Sequence, residues 1–165
     1  MVVAIFGRCC VGKSSVANTL GHKLHCTVRH CGELVKTRAS SCGKKPDELD
    51  AHDHEMIDRE TRAVVESANS PLIIEGSFLD AVIGKRSGVY LVHLVCSDST
   101  RADRYATRCD GVAADIVARD RRDSRLRQAL YGTTCWPLEA DVTIDTTVLS
   151  ADETAERILR WLETV

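Results

Sequence analysis

An α/β fold on a mainly parallel sheet, covered by helices on both faces, is what this sequence predicts, and three observations carry it. Short apolar runs alternate with amphipathic segments along the chain. The first run, Val2 to Phe6, is apolar at every position, as a strand buried on both faces requires. A glycine loop joins that run directly to a segment of helical periodicity. This rhythm implies right-handed crossovers between parallel strands, with ligands bound beyond the strands' carboxyl ends.

The elements follow in order. Val2 to Phe6 is the first strand, with β-branched and aromatic members. From Lys13 to about His25, Val16, Leu20 and Leu24 recur at helical spacing, the stripe of a helix packed on a sheet. Cys26 to Arg29 is a short second strand. Glu33 to Ser40 and Asp47 to Ala68 are predicted helices, broken by Gly43-Lys44-Lys45-Pro46, and together make a helical excursion. Pro71 to Glu75 and Val89 to Cys96 are further strands, with a glycine-containing loop over 76 to 88 between them. Asp98 stands where it can cap the next helix. Val112 to Leu130 predicts a strongly charged helix, Val142 to Asp145 a short strand, and Ala151 to about Glu163 the last helix. Ser150 and Glu153 have capping-box spacing, and Ala155, Ile158, Leu159 and Leu162 supply that helix's buried stripe.

No internal repeat, low-complexity run or linker divides the chain, so residues 1–165 read as one domain. The 22 basic and 24 acidic side chains leave a formal charge of −2, which argues against sequence-independent binding to a nucleic-acid polymer. No stretch approaches the roughly 20 apolar residues of a membrane helix, and Val2 to Phe6 is too short for a signal-peptide core. These features predict a cytoplasmic protein without a membrane partner, whose eight cysteines are reduced thiols. His22, His25, Cys26, His30 and Cys31 crowd together, but their spacing is unlike a zinc finger's and favours ordinary packing over zinc.

The strongest chemical signal is Gly7-Arg8-Cys9-Cys10-Val11-Gly12-Lys13-Ser14, a full GxxxxGK[ST] match between a predicted strand and a predicted helix. Gly7 and Gly12 allow a tight turn, so that main-chain N–H groups and the helix's positive end face a polyphosphate. Lys13 then reaches the β and γ phosphates, and Ser14 gives its hydroxyl to Mg²⁺. The expected donor is ATP with Mg²⁺, held by residues 7 to 14 and Ser15. The alternative is a chance match in which Lys13 is a solvated residue of a helix's first turn. Cys10 stands where many such loops have another glycine.

Glu75 ends the apolar run Leu72 to Ile74 and precedes Gly76, which makes it the candidate carboxylate for Mg²⁺ beside the Ser14 hydroxyl. A strand-end acid facing water is the plainer alternative. Residues 119 to 127 hold five arginines in nine positions, and guanidinium groups closing over a transferring phosphoryl group stabilise its spread charge. A solvated face laced with weak ion pairs is the competing reading. Arg101, Arg104 and Arg108 form a second basic set, with Arg108 nearest the cluster.

With loop, acidic strand end and arginine cluster in this order, the chain resembles the cytidylate-kinase-like group of nucleoside monophosphate kinases. The likeness lies in the P-loop, Cys31-Gly32-Glu33-Leu34, the Leu72-to-Gly76 strand end, Arg119-Asp120-x-x-Asp123-x-Arg125 and Ile144-Asp145-Thr146-Thr147. It implies a P-loop kinase fold with five parallel strands, a helical acceptor-binding region over 31 to 69 and an arginine-rich lid over 109 to 127. It further implies Arg119 and Arg125 as catalytic lid arginines beside Lys13, and Arg108, Asp145, Thr146 and Thr147 at the donor. Gly32, Lys36, Arg62, Gly76 and Ser77 are the implied acceptor residues. Lys36 and Ser77 stand where that family usually has arginine. Lys36 and Arg38 have a plainer reading as solvated helix charges, and Arg62 as the partner of Asp58 four residues earlier.

The expected activity is ATP-dependent phosphoryl transfer to a nucleoside monophosphate, CMP-like, by a monomer or weak homo-oligomer. Another small alcohol or phosphate as acceptor, or a nonenzymatic nucleotide-binding regulatory module, are the alternatives. No Asn-Lys-x-Asp motif is present, which weighs against a GTPase switch.

Overall fold

Alternation along β1 (Val2–Phe6) explains why both faces of the sheet need a cover. Val3 and Ile5 turn to one face and Val2, Ala4 and Phe6 to the other, and all five are buried. The computed structural model describes residues 1–108 and 116–165, Arg108 by its main chain alone. Beside β1 run β2 (Thr27–His30), β3 (Leu72–Gly76), β4 (Val89–Val95) and β5 (Val142–Asp145). Their order across the sheet is β2-β3-β1-β4-β5, and every neighbouring pair is parallel. The mainly parallel expectation thus becomes a wholly parallel sheet in a three-layer α/β/α fold.

On one face, Val16, Ala17 and Leu20 of α1 (Lys13–Leu24) meet Ala155 and Ile158 of α7 (Ala151–Leu162) over Val3, Ile5, Ile73, Val92 and Leu94. On the other, Val65 of α3 (Ala51–Glu66) and Leu79 and Val82 of α4 (Leu79–Val82) pack on Val2, Ala4, Phe6, Ile74 and Leu91. Each of the larger ones, the Val, Leu, Ile and Phe side chains, contributes about 1.5–3 kcal/mol over leaving it in water. α2 (Cys31–Ser41) leans on α3 through a small core of its own, Ala39, Leu49 and Ile57. The helical excursion thus has a small core at its outer end, while Val65 of α3 ties its other end to the sheet. α5 (Asp98–Arg108) and α6 (Ile116–Tyr131) complete the described helices.

Several boundaries differ from the sequence expectations, each for a local reason. α2 starts at Cys31 rather than Glu33, because β2 ends at His30 and the chain turns straight into the helix. The expected helix from Asp47 to Ala68 is a single 3-10 turn, Pro46–Glu48, followed by α3 from Ala51. Asp50 sets that later start: its carboxylate accepts from the Asp53 N–H at 3.0 Å while the Asp53 carboxylate accepts from the Asp50 N–H at 3.3 Å. Ser97, not Asp98, caps α5, its hydroxyl accepting from the Thr100 N–H at 3.2 Å. Asp98 lies inside the first turn and pairs with Arg101 at 3.0 Å. α4 is one turn within the expected loop of 76 to 88. The charged helix is described from Ile116, and residues 112–115 of its expected span lie outside the described residues. Ser150 and Glu153 form the expected capping box.

Candidate active site

The loop between β1 and α1 is shaped by two glycines for different reasons. Gly7 has φ 142°, and a Cβ there would stand 2.3 Å from the Leu94 carbonyl oxygen, so β4 leaves no room for a side chain. Gly12 has φ 97°, and a Cβ there would meet nothing closer than the Arg104 guanidinium at 4.0 Å, so main-chain conformation alone demands glycine. Cys10 adopts φ 62°, the left-handed region, without being glycine. Gly12 caps α1 with no side-chain bond, and the helix's first turn has no acidic residue. Its leading N–H groups are left for an anion. Lys13 donates its Nζ to the Arg8 carbonyl at 2.8 Å across the loop, and its surroundings, chiefly burial, push the amine below the usual lysine value against the pull of Glu75.

Glu75 does not face water. It is buried at the end of β3 and accepts from the Ser14 hydroxyl at 3.1 Å. The Nδ1 of His30 lies 2.9 Å from the same Glu75 oxygen, because the parallel register sets His30 opposite Glu75. A hydroxyl and a carboxylate at the phosphate loop are hard oxygen donors of the kind Mg²⁺ takes, so these residues fit that ion. His30 is the residue that sequence reasoning left among the His and Cys crowd. The rest of that crowd disperses: Cys31 meets Thr61 at 4.0 Å, while His22, His25 and Cys26 line a separate recess beside α1. Among the described residues, no three His, Cys, Asp or Glu side chains come together as a metal site.

A cleft of about 1230 Å³ opens from the loop, lined by residues 9 to 16, Glu75, Gly76 and Ser77. The five arginines of residues 119 to 127 divide around it. Arg119 and Arg122 line the cleft, and Arg119 donates Nε to Asp123 at 3.0 Å. Arg125 is exposed and is not among the lining residues. Arg127 is fully buried and forks onto the equally buried Asp80 at 3.0 and 2.6 Å. It fastens α6 to α4. Of the expected lid, residues 109–115 lie outside the described residues, as does the Arg108 side chain.

The second basic set braces the loop. Arg101 donates Nε to the Cys9 carbonyl at 2.9 Å, and Arg104 donates Nη2 to the Thr146 carbonyl at 2.9 Å. Thr146 lines the cleft and donates its hydroxyl to the Val11 carbonyl at 2.8 Å. Asp145 is exposed and accepts from the Thr147 N–H at 2.8 Å, while the Thr147 hydroxyl accepts from the Ser97 N–H at 2.9 Å. Arg8 turns outward, 3.8 Å from Asp120.

On the far side, Gly32 and Lys36 of α2 line the cleft, with His54 and Asp58 of α3 and Tyr131 of α6. The Tyr131 hydroxyl donates to Asp58 at 2.9 Å, and burial pushes the Asp58 carboxyl above its usual range, partly offset by that bond. Arg62 is not a lining residue; it donates to the Val82 carbonyl at 3.4 Å rather than pairing through a hydrogen bond with Asp58. Arg38 is committed to the buried Asp53 at 2.8 Å.

The family model described as an AAA domain matches residues 3–123. No curated protein matches the sequence significantly. Among solved structures, an uncharacterized protein from Eubacterium ventriosum ATCC 27560 is similar at a TM-score of 0.73 and 12% identity, covering 100% of this chain and 99% of that one. Shikimate kinase from Acinetobacter baumannii, in complex with shikimate, is similar at a TM-score of 0.66 and 16% identity, covering 99% and 93%. A gluconokinase from Sinorhizobium meliloti 1021 is similar at a TM-score of 0.63 and 18% identity, covering 99% and 95%. At these identities the likeness is one of fold.

Proposed function

The chain belongs to the AAA domain family, and from that premise we propose that it is a small-molecule kinase, transferring the terminal phosphoryl group of ATP to an acceptor for which a nucleoside monophosphate of CMP type is the first class. The observation that carries this reading is one continuous cleft joining the phosphate loop to α2 and α3. A phosphoryl group has to pass directly between two bound molecules, and a shared cleft supplies that path. The shikimate kinase and gluconokinase neighbours support a small acceptor.

In this mechanism the loop's N–H groups and the start of α1 bind the donor's phosphates. Lys13, now on the Arg8 carbonyl, would turn to the β and γ oxygens, and Ser14 and Glu75, hydrogen-bonded to each other, would hold Mg²⁺. The metal, when bound, neutralises phosphate charge. Arg119 and Arg122 face the cleft from α6 and stabilise the charge that spreads over the transferring group. Lys36 is the cation on the acceptor side for a monophosphate.

A second reading, an alcohol acceptor, is favoured by Asp58. Its carboxylate lines the acceptor side and can orient a hydroxyl, whereas Arg38 and Arg62 are engaged elsewhere. An acceptor panel scored by ADP release tests both: nucleoside monophosphates against sugar acids and other small alcohols. Tight ATP binding with no acceptor-dependent ADP release from any member would overturn the kinase reading in favour of a regulatory module.

A further inference from the structure

The phosphate loop carries a feature that phosphoryl transfer does not use. Cys9 and Cys10 are adjacent, both line the cleft, and their sulfurs lie 3.6 Å apart on a partly buried stretch. The left-handed φ of 62° at Cys10 turns its side chain back toward its neighbour, where an ordinary strand would send the two to opposite sides. Arg119 and Lys13 place positive charge near Cys9, partly countered by Asp123.

We propose that Cys9 and Cys10 form a covalent-modification site for peroxides within the phosphate loop, closing to a Cys9–Cys10 disulfide that excludes the donor's phosphates. The Cys9 thiolate attacks one oxygen of hydrogen peroxide, giving a sulfenic acid and releasing hydroxide. The Cys10 thiol then attacks that sulfur, forming the S–S bond and releasing water. In sum two thiols and one peroxide give one disulfide and two waters, the sulfurs losing two electrons and the peroxide gaining them.

The neighbourhood suits both steps. The contact with Cys10 lowers the Cys9 pKa to about 6, with Arg119 and Lys13 assisting against burial and Asp123, which favours Cys9 as the attacking thiolate. Cys10 is the resolving thiol, already at hand. Adjacent Cα atoms are about 3.8 Å apart, closer than the roughly 4.4–6.8 Å of most disulfides, so the product is strained and readily reduced by small thiols. Closing that ring twists the peptide between the two residues. Their carbonyls are the ones that Arg101 and Arg104 hold, at 2.9 and 3.5 Å, so the loop's phosphate-facing N–H groups move with them.

The exclusion of phosphates rests on the proposed ATP site, whereas the disulfide itself does not. Reduced full-length protein is treated with graded hydrogen peroxide, then digested and mapped by mass. The expected product is the peptide bearing both residues with two hydrogens missing, restored by dithiothreitol, before the other cysteines react. In Cys10→Ser, the expected product is a dimedone adduct at Cys9, trapping the sulfenic acid. A loop peptide that keeps both thiols free while other cysteines oxidise overturns the proposal. In parallel, ATP·Mg²⁺ binding is followed by calorimetry: the oxidised form is expected to lose at least tenfold in affinity, and the nucleotide to slow Cys9–Cys10 closure at least tenfold. Equal ATP affinity in both forms overturns the exclusion of phosphates. If the reduced protein binds no nucleotide, the kinase reading fails, and the modification site is judged on the mapped disulfide alone.

Discussion

Arg101 holds Asp120 by a two-point fork, 2.9 Å from Nη1 and 2.6 Å from Nη2. With Nε it holds the Cys9 carbonyl, so one buried guanidinium ties the arginine-bearing helix to the phosphate loop. A lysine offers a point charge and cannot span three acceptors in one plane. Arg101→Lys is therefore expected to lower stability by about 1–3 kcal/mol. Its turnover should fall about tenfold, the loss of roughly 1.4 kcal/mol of transition-state stabilisation. Urea unfolding and steady-state kinetics measure the two effects, and an unchanged turnover would mean that loop and helix act independently.

Lys13 and Arg119 should separate binding from chemistry. In the proposed mechanism Lys13 meets the β and γ oxygens, where charge builds as the terminal group leaves, so Lys13→Ala is expected to cut turnover at least ~100-fold and to weaken ATP binding, with the fold retained by circular dichroism. Arg119 sits on α6, paired with Asp123, and in the proposed mechanism would serve the transferring group, so Arg119→Ala should lower turnover more than ATP affinity. The opposite pattern, weaker ATP binding at normal turnover, would make Arg119 a donor-binding residue instead.

The contrast between these residues shows which parts of the molecule are legible in sequence. The phosphate loop is a local device: its glycines, Lys13 and Ser14 fall within one turn, so spacing alone identifies them. The buried strands declare themselves because every side chain of β1 must be apolar. The arginine cluster is different. Arg127 leaves it for Asp80, 47 positions away, and nothing within residues 119 to 127 marks it as the buried member. The partnership of His30 with Glu75 depends on the β2–β3 register, which the sequence of neither strand specifies alone. α4 is a single turn, too short for helical periodicity to register.

His30 lies next to the proposed Mg²⁺ residues. It shares the Glu75 oxygen to which Ser14 donates, so in the proposed mechanism it would compete for or orient that carboxylate. His30→Ala is expected to shift the Mg²⁺ concentration for half-maximal turnover several-fold, with His30→Asn giving a smaller shift. Turnover titrated with Mg²⁺ in the three proteins reads this directly. Superimposable curves would leave the imidazole a packing residue.

Asp53 makes the packing of α2 and α3 sensitive to acid. Lys44 first, at 2.6 Å, and then Arg38 hold its carboxyl well below the usual range, against the cost of burial. A depressed folded pKa stabilises the fold above the unfolded value of about 3.9 and loses that contribution as pH falls below it. Denaturant midpoints should therefore drop between about pH 4 and pH 2, and Asp53→Asn should remove part of that slope while lowering stability at pH 7. An unaltered slope in the variant would assign the acid sensitivity to other carboxylates.

The Asp80–Arg127 pair offers the sharpest test of how α6 is anchored. Both side chains are fully buried, and Arg127 also gives Nε to the Cys135 carbonyl at 2.9 Å and lies 4.6 Å from the Trp136 ring centre. Removing one charge leaves the other desolvated and unpaired, so Asp80→Ala is expected to cost about 3–5 kcal/mol. Replacing both, as Asp80→Leu with Arg127→Met, removes the stranded charge and should recover much of that loss. A double-mutant cycle by urea unfolding gives the coupling. If the double variant is as stable as the native protein but turns over slowly, the pair fixes the position of α6 over the cleft; if its turnover is normal, aliphatic packing holds α6 equally well.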